Sequence, residues 1–441
     1  MLDPDRLRVD SEAAYSLQTV HEGNEDNEDN EDHDIREAFA MTFRRKVLAL
    51  AVVAALLLGA VASVIDWRFW YRWHTLPEDA GEWPASYYQP IAEVPGDPKP
   101  FFPVAREGER TIDPAALEAA AEWAQGHNSA ALLVLHRGVV QMERYWQDIE
   151  SDSLFTGRAM TRSLIPPLFA IARDEGTIDS LEDPIGRYLP EWRDDPRGDI
   201  SIRNLLFNLS GLENAPLAGD PDPDNKNSRL ALGGDFRKAA LAFELEDQTG
   251  EFFALSNANG QVLAAVLESA TGEAYEDYLN SRLWAPLGAD SAYLYMDHPG
   301  GMPAVYCCYR ATPRDWLRYG AALLNDGRVN EQQIWPAGWV EEMTTPSDYY
   351  PLYAYQIWTG NPAPGQQRIY SESMELTAPH GVGIRADRFF YLEGGGYRTM
   401  VVLPDHDLVI LRLGYYDANW TTSALPNLIL GGMDISDTEA D

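Results

Sequence analysis

The chain has 441 residues, 45% of them hydrophobic, enough for one large domain or two ordinary ones with a sizeable core. Its 34 basic side chains face 69 acidic ones, for a net charge of −35, and so acidic a surface argues against nucleic acid and anionic lipid headgroups as polar partners. Lysine occurs at only four positions, 46, 99, 226 and 238, a composition suited to a salt-tolerant host and silent about function.

Residues 1–46 carry 13 acids and 6 bases and include the run NEDNEDNEDHD (24–34). The run is too polar to bury a core, which predicts an acidic, disordered cytoplasmic tail. Arg44, Arg45 and Lys46 then precede the uncharged stretch Val47–Ile65, and Trp67, Phe69, Trp70, Tyr71 and Trp73 follow it. Such a stretch, if helical, spans roughly the ~30 Å hydrocarbon core of a bilayer, with the aromatics at the far interface. The expectation is a single-pass anchor over 47–65 in the inner (cytoplasmic) membrane. The N-terminus stays cytoplasmic and the main domain is periplasmic or extracellular. Read from Met41, the same stretch resembles a signal peptide cleaved near Ala60-Val61-Ala62; the 40-residue leader favours the uncleaved anchor. Seven prolines between 76 and 110 make 66–110 a stiff spacer in this reading.

The domain is expected over 111–432, with 433–441 as a second acidic tail. Asp113-Pro114 caps and starts a helix over 115–125. AALLVLHRG (130–138) and VVQMERYW (139–146) read as a hairpin. Helical patterns cover 159–175, 201–209 and most of 260–288. Strands return at 386–393, 397–403 and 407–414, before a last helix at 421–431. Helix and strands at both ends of a helical middle predict an α/β (α+β) domain, an antiparallel sheet flanked by helices with a helical subdomain. Cys307 and Cys308 are adjacent, and neighbouring residues rarely reach disulfide geometry, so no bridge is expected. No metal-ligand spacing occurs and no cofactor is expected.

TGRAMTRSLIPPLFAIARDEGTIDSLEDPIGRYLPEW (156–192) resembles the first motif region of the β-lactamase-like serine hydrolases, where a helix opens with Ser-x-x-Lys. FALSNANGQVLAAVLESATGEAYEDYL (253–279) is similar to their second region, which carries Tyr-x-Asn. VYCCYRATPRDWLRYGAALLNDGRVNEQQIWPAGWV (305–340) and FFYLEGGGYRTMVVLPDHDLVILRLG (389–414) narrow the resemblance to the branch of 6-aminohexanoate-dimer hydrolases and related esterases. The resemblance implies a β-lactamase/penicillin-binding-type fold. It also implies a chemistry in which Ser attacks a carbonyl, Lys takes its proton, Tyr relays it and Asn orients the substrate.

At those positions this sequence has Ala159, Arg162, Leu255 and Asn257. Alanine has no lone pair to offer, guanidinium is always protonated, and leucine has no proton to exchange. The third motif, near the strand at 394–398, falls on Tyr391 and Glu393 with Gly394 and Gly395 following. None of the four lysines has a serine three residues before it, so no shift of register restores the motif.

The function expected is therefore that of a catalytically impaired homologue. It keeps a cleft for a small-molecule or peptide ligand, with Asn257, Glu393, Gly394 and Gly395 as binding candidates. An ion pair across the cleft between Arg162 and Glu393 would mark the site as filled. The alternative is a hydrolase of an ester, amide or lactam rewired through Ser163, Thr161 or Tyr306. His380 in PHGVG, Asp405-His406-Asp407 and a reactive Cys307 are weaker candidates, read as a loop histidine, a solvated turn and an ordinary thiol. The 13 Trp and 22 Tyr are read as core and pocket lining.

Overall fold

The computed structural model describes residues 36, 39–57, 59–60, 65–77, 87–215, 222–363, 368–371, 376–378 and 382–433. It divides into two compact units, Met1–Trp67 and Arg68–Asp441. In the first, residues 39–57 and 59–60 are helical and exposed. Among the described residues no helix is long and apolar enough to cross a membrane. Leu58 and residues 61–64 of the expected span lie outside them, as do the acidic run 24–34, His380 and the tail from 434 onward.

The second unit holds strands β1 (Ile91–Val94), β2 (Ser129–His136), β3 (Val139–Tyr145), β4 (Ala292–Tyr295), β5 (Trp358–Thr359), β6 (Arg368–Ser371), β7 (Phe390–Gly394), β8 (Arg398–Leu403) and β9 (Leu408–Gly414). Its principal helices are α1 (Trp67–His74), α2 (Pro114–Gly126), α3 (Ile165–Asp174), α4 (Asn257–Thr271), α5 (Pro313–Leu324) and α6 (Ala424–Leu430). Six strands form an antiparallel sheet in the order β3-β2-β9-β8-β7-β5.

Both faces of this sheet are covered, so β2 reads SAALLVLH with every residue buried rather than alternating with polar ones. The period of two still sorts its side chains. Leu132 and Val134 join Leu117 and Ala121 of α2 and Ile429 of α6, while Leu133 and Leu135 join Trp316 and Leu317 of α5. Asp113 caps α2 through the Ala115 N–H, as its sequence implies. Gly320 lets α5 lie close on the sheet: a Cβ there would stand 2.5 Å from the Met400 sulfur. The expected hairpin and C-terminal strands are present within a few residues of their predicted bounds.

Residues 68–77 and 87–110 of the expected spacer are instead folded onto the domain, and 78–86 lie outside the described residues. β1 pairs with β4 at the edge of a second sheet, Ile91 opposite Tyr295 and Val94 opposite Ala292. Pro90 and Pro95 bracket β1, and an edge strand tolerates prolines at its ends. The Arg72 guanidinium of α1 is 6% exposed and donates to the carbonyls of Leu232, Gly233, Gln89, Met296 and Asp297, with the Gly233 bond at 2.6 Å and the Asp297 bond at 2.8 Å. Prolines excluded helix and central strand from this stretch, but not the clamped helix that precedes them or the edge strand between them.

Candidate functional site

The first motif region departs from the helix expected over 159–175. Residues Arg158–Leu164 form a 3-10 helix, and the α-helix proper starts at Ile165. Pro166 and Pro167 lack the N–H groups that an α-helix begun at 159 would use, and the first turn of a helix is where proline is tolerated. In a 3-10 helix positions i and i+3 eclipse, so Ala159 and Arg162 stack on one edge. Thr161 and Ser163, each 1% exposed, are engaged elsewhere: Thr161 Oγ1 accepts the Tyr309 N–H and Ser163 Oγ donates to the Met160 carbonyl at 2.7 Å.

The second region begins where Ser256 caps α4 through the Ala258 N–H, which places Asn257 at the helix mouth. Its Oδ1 accepts from Arg162 Nη2 at 2.9 Å. Because guanidinium only donates, this contact fixes the amide orientation. A buried amide network holds the turn: Asn208 Oδ1 accepts from the Ser256 N–H and from Asn259 Nδ2, its Nδ2 donates to the Tyr353 hydroxyl, and Ser210 donates to Asn259 Oδ1. Leu255, 8% exposed, packs in an apolar cluster with Phe253, Tyr350, Tyr353, Trp358 and Tyr391. Phe253 stacks on Tyr350 with centroids 4.1 Å apart, and Tyr353 meets Trp358 edge-on at 4.8 Å.

The third region is the end of β7. A Cβ on Gly394 would stand 2.2 Å from the Gly157 carbonyl oxygen and 3.2 Å from the Ala159 nitrogen, so only glycine lets the strand meet the 3-10 turn. Gly395 lies beside Arg158 without that constraint. Tyr391 and Glu393 point to one face of β7, where both meet Arg368 of β6. The Arg368 guanidinium is fully buried, donates to the Tyr391 hydroxyl at 2.6 Å and to Glu393 Oε1 at 2.7 Å, and lies 4.4 Å over the Trp358 ring. Thr422 donates to the other Glu393 oxygen at 3.3 Å.

The expected pairing of Arg162 with Glu393 is thus not formed: Glu393 is held by Arg368, a residue in a segment that carries no motif. Ala159 does meet Gly394 and Arg162 does meet Asn257, while Leu255 belongs to the apolar cluster of Tyr353, the tyrosine that faces Arg162. Asn208, Tyr353 and Arg368 escaped the sequence reading. The run NLSGL (208–212) before a capped helix was a signal for the first of these; none existed for Arg368. Burial drives the Arg162 pKa down, with the Tyr353 and Tyr306 hydroxyls opposing the shift. Burial pushes Tyr353 up to about 12 and Tyr306 higher still, so both are neutral phenols at physiological pH.

The absence of a bridge expected at Cys307 and Cys308 is corrected, since the two form a disulfide. The chain turns at Cys308 with φ +75°, a left-handed conformation that brings neighbouring side chains together where extended or helical backbone would part them. Neither cysteine is a free thiol, which removes Cys307 as a reactive candidate. Asp405 and His406 lie in the short turn between β8 and β9. No group of three or more His, Cys, Asp or Glu placed to hold a metal ion is found among the described residues.

An antiparallel sheet between helices, with a 3-10 turn, a capped helix mouth and a glycine-ended strand meeting at one point, is the arrangement of a β-lactamase/penicillin-binding-type domain. The Beta-lactamase family model matches residues 115–414, and the chain belongs to that family. It is 28% identical over 226 residues to 6-aminohexanoate-dimer hydrolase of Paenarthrobacter ureafaciens, a match covering 48% of this chain and 56% of that protein. The chain therefore spans little more than half of that relative's length. Among solved structures, one named for 6-aminohexanoate-dimer hydrolase from Bacillus anthracis superposes with a TM-score of 0.60 at 19% identity, covering 80% of this chain and 92% of its own. A class C beta lactamase from Rhodobacter sphaeroides gives a TM-score of 0.53 at 16% identity, covering 74% and 99%. At these identities the structures speak for the fold.

Proposed function

We propose that this chain is a membrane-anchored member of the β-lactamase family that has given up acylation and uses its cleft to bind a small molecule or peptide. The observation that carries this is the hydrogen bond of Arg162 to Asn257 one 3-10 turn after Ala159, with Ala159, Arg162 and Leu255 standing where the resemblance puts nucleophile, base and proton relay. Each substitution removes a different chemical role, and residues acting as one unit leave little when lost together. The hydroxyls nearest the lost nucleophile support the same reading, because Thr161 and Ser163 are buried and tied to backbone groups. A rewired hydrolase would have to free one of them or use the buried Tyr306. The uncharged stretch 47–65 behind Arg44, Arg45 and Lys46 supports the anchor, with the domain on the periplasmic or outer face.

The test is to expose the full chain in neutral detergent to a fluorophosphonate probe, and to p-nitrophenyl esters, nitrocefin and short amides. No labelling and no turnover above background are expected. Covalent labelling, or turnover abolished by mutating Thr161, Ser163 or Tyr306, refutes the non-catalytic reading.

A further inference from the structure

Arg162 is a buried cation whose charge the protein does not answer. Its side chain is 4% exposed, yet its Nε and Nη1 have no hydrogen-bond partner, and Nη2 meets an amide oxygen rather than a carboxylate. Among the described residues it makes no ion pair. Burying a guanidinium costs several kcal/mol unless a counter-charge and full hydrogen bonding offset it, and orphaned buried donors are rare in native folds. Four other arginines of this domain are buried and each has a stronger set of partners: Arg368 has the Glu393 carboxylate, Arg72 five carbonyls, Arg412 Ser129 Oγ and a ring of carbonyls, and Arg398 the Gly395 carbonyl and the faces of the Phe155 and Tyr415 rings. Tyr353, which shares a hydrogen bond with Arg162, and Tyr306 face it as neutral phenols and supply dipoles, not charge.

We propose that Arg162 anchors a carboxylate-binding subsite, in which its Nη1/Nη2 edge receives both oxygens of a small organic acid at the position where acylating relatives keep nucleophile and base. The inference rests on the reading of the cleft as a binding site. The planar fork of guanidinium matches a carboxylate two bonds at a time, which a lysine at the same place cannot do. Half-buried Ala159, stacked one 3-10 turn before Arg162, leaves only a methyl beside the approach. Half-buried Asn257, its Oδ1 committed to Arg162, is the neighbour whose amide an incoming carboxylate would meet first. The substitution that ends proton transfer thereby creates an anion receptor.

Thermal unfolding of the full chain in neutral detergent, at a fixed ionic strength near 0.15 M to screen the acidic surface, reads the subsite. Sodium acetate is titrated against acetamide and sodium chloride. The expected result is a saturable rise in Tm with acetate, about 2 °C at ten times its Kd, with no response to acetamide. The response disappears in Arg162→Met. Asn257→Asp, which supplies a carboxylate from within, raises Tm without ligand and also removes the acetate response. An acetate response unchanged in either variant, or matched by chloride, overturns the proposal; Asn257→Asp decides the matter should Arg162→Met not fold. Fluorophosphonate treatment of the same samples separates the two ideas. Labelling sinks the non-catalytic reading whatever acetate does, whereas indifference to acetate without labelling sinks the subsite alone.

Discussion

Replacing Glu268 by glutamine gives the most quantitative test of the helical subdomain. Glu268 lies near the end of α4, accepts the Tyr275 N–H at 3.1 Å, and is crowded by Glu276 and Asp297. Burial, helped by those two acids and opposed by the Tyr275 N–H and by Arg237, pushes its carboxyl from 4.5 up to about 7. At about 1.4 kcal/mol per pH unit, the ionised form is disfavoured in the folded state by about 3 kcal/mol, or about 1–3 kcal/mol once the partial exposure of the group is allowed for. Between pH 4.5 and 7 the folded state holds more of this proton than the unfolded chain does. Stability from this group is therefore complete below pH 4.5, falls as pH rises, and is gone above 7. Glu268→Gln should unfold in urea at the same midpoint as the parent at pH 4.5 and be more stable by about 1–3 kcal/mol at pH 8. A stability difference that does not change between pH 4.5 and 8, or that favours the parent at pH 8, refutes the reasoning.

Ala159→Ser, Arg162→Lys and Leu255→Tyr together should restore fluorophosphonate labelling at residue 159, at a stability cost of about 1–3 kcal/mol from the larger ring among Phe253, Tyr353 and Trp358; silence in a folded triple variant would refute the motif register. Arg368→Met leaves Glu393 buried without its partner and should cost about 3–5 kcal/mol in urea unfolding, most of which Glu393→Gln recovers in the double variant. An equal loss in both would refute a buried ion pair. Arg72→Met strips two short charge-assisted bonds and three longer ones, and should cost about 2–4 kcal/mol and open residues 68–77 to protease; a change under about 0.5 kcal/mol would return that segment to a spacer.

How far the sequence could be read depended on the range of the interactions involved. The hairpin at 130–146 and the strands at 397–403 and 407–414 were legible because their hydrophobic runs and turn residues are local. The helix of the first motif region was misplaced by six residues, although Pro166 and Pro167 announced where an α-helix could start. The motif positions were legible by resemblance, and the structure brings four of them together in pairs, Ala159 with Gly394 and Arg162 with Asn257. What escaped was long-range. Arg368 reaches Glu393 from β6, a segment without a motif, Asn208 reaches Ser256 across 48 residues, and Arg72 reaches carbonyls more than 200 residues away. The disulfide was missed for the opposite reason: it is wholly local and goes with a left-handed φ of +75° at Cys308, which composition does not report.

The clamp on Arg72 has a consequence for reach. A free spacer over 66–110 could extend about 150 Å, at roughly 3.4 Å per residue, and let the domain sample a deep layer of space. With residues 68–77 and 87–110 folded onto the domain, most of that length is taken up in structure. The stretch that its prolines suggested as a tether is part of the domain's own body: a fragment begun at residue 111 would strip β4 of its edge partner β1 and leave the carbonyls around Arg72 without their donor.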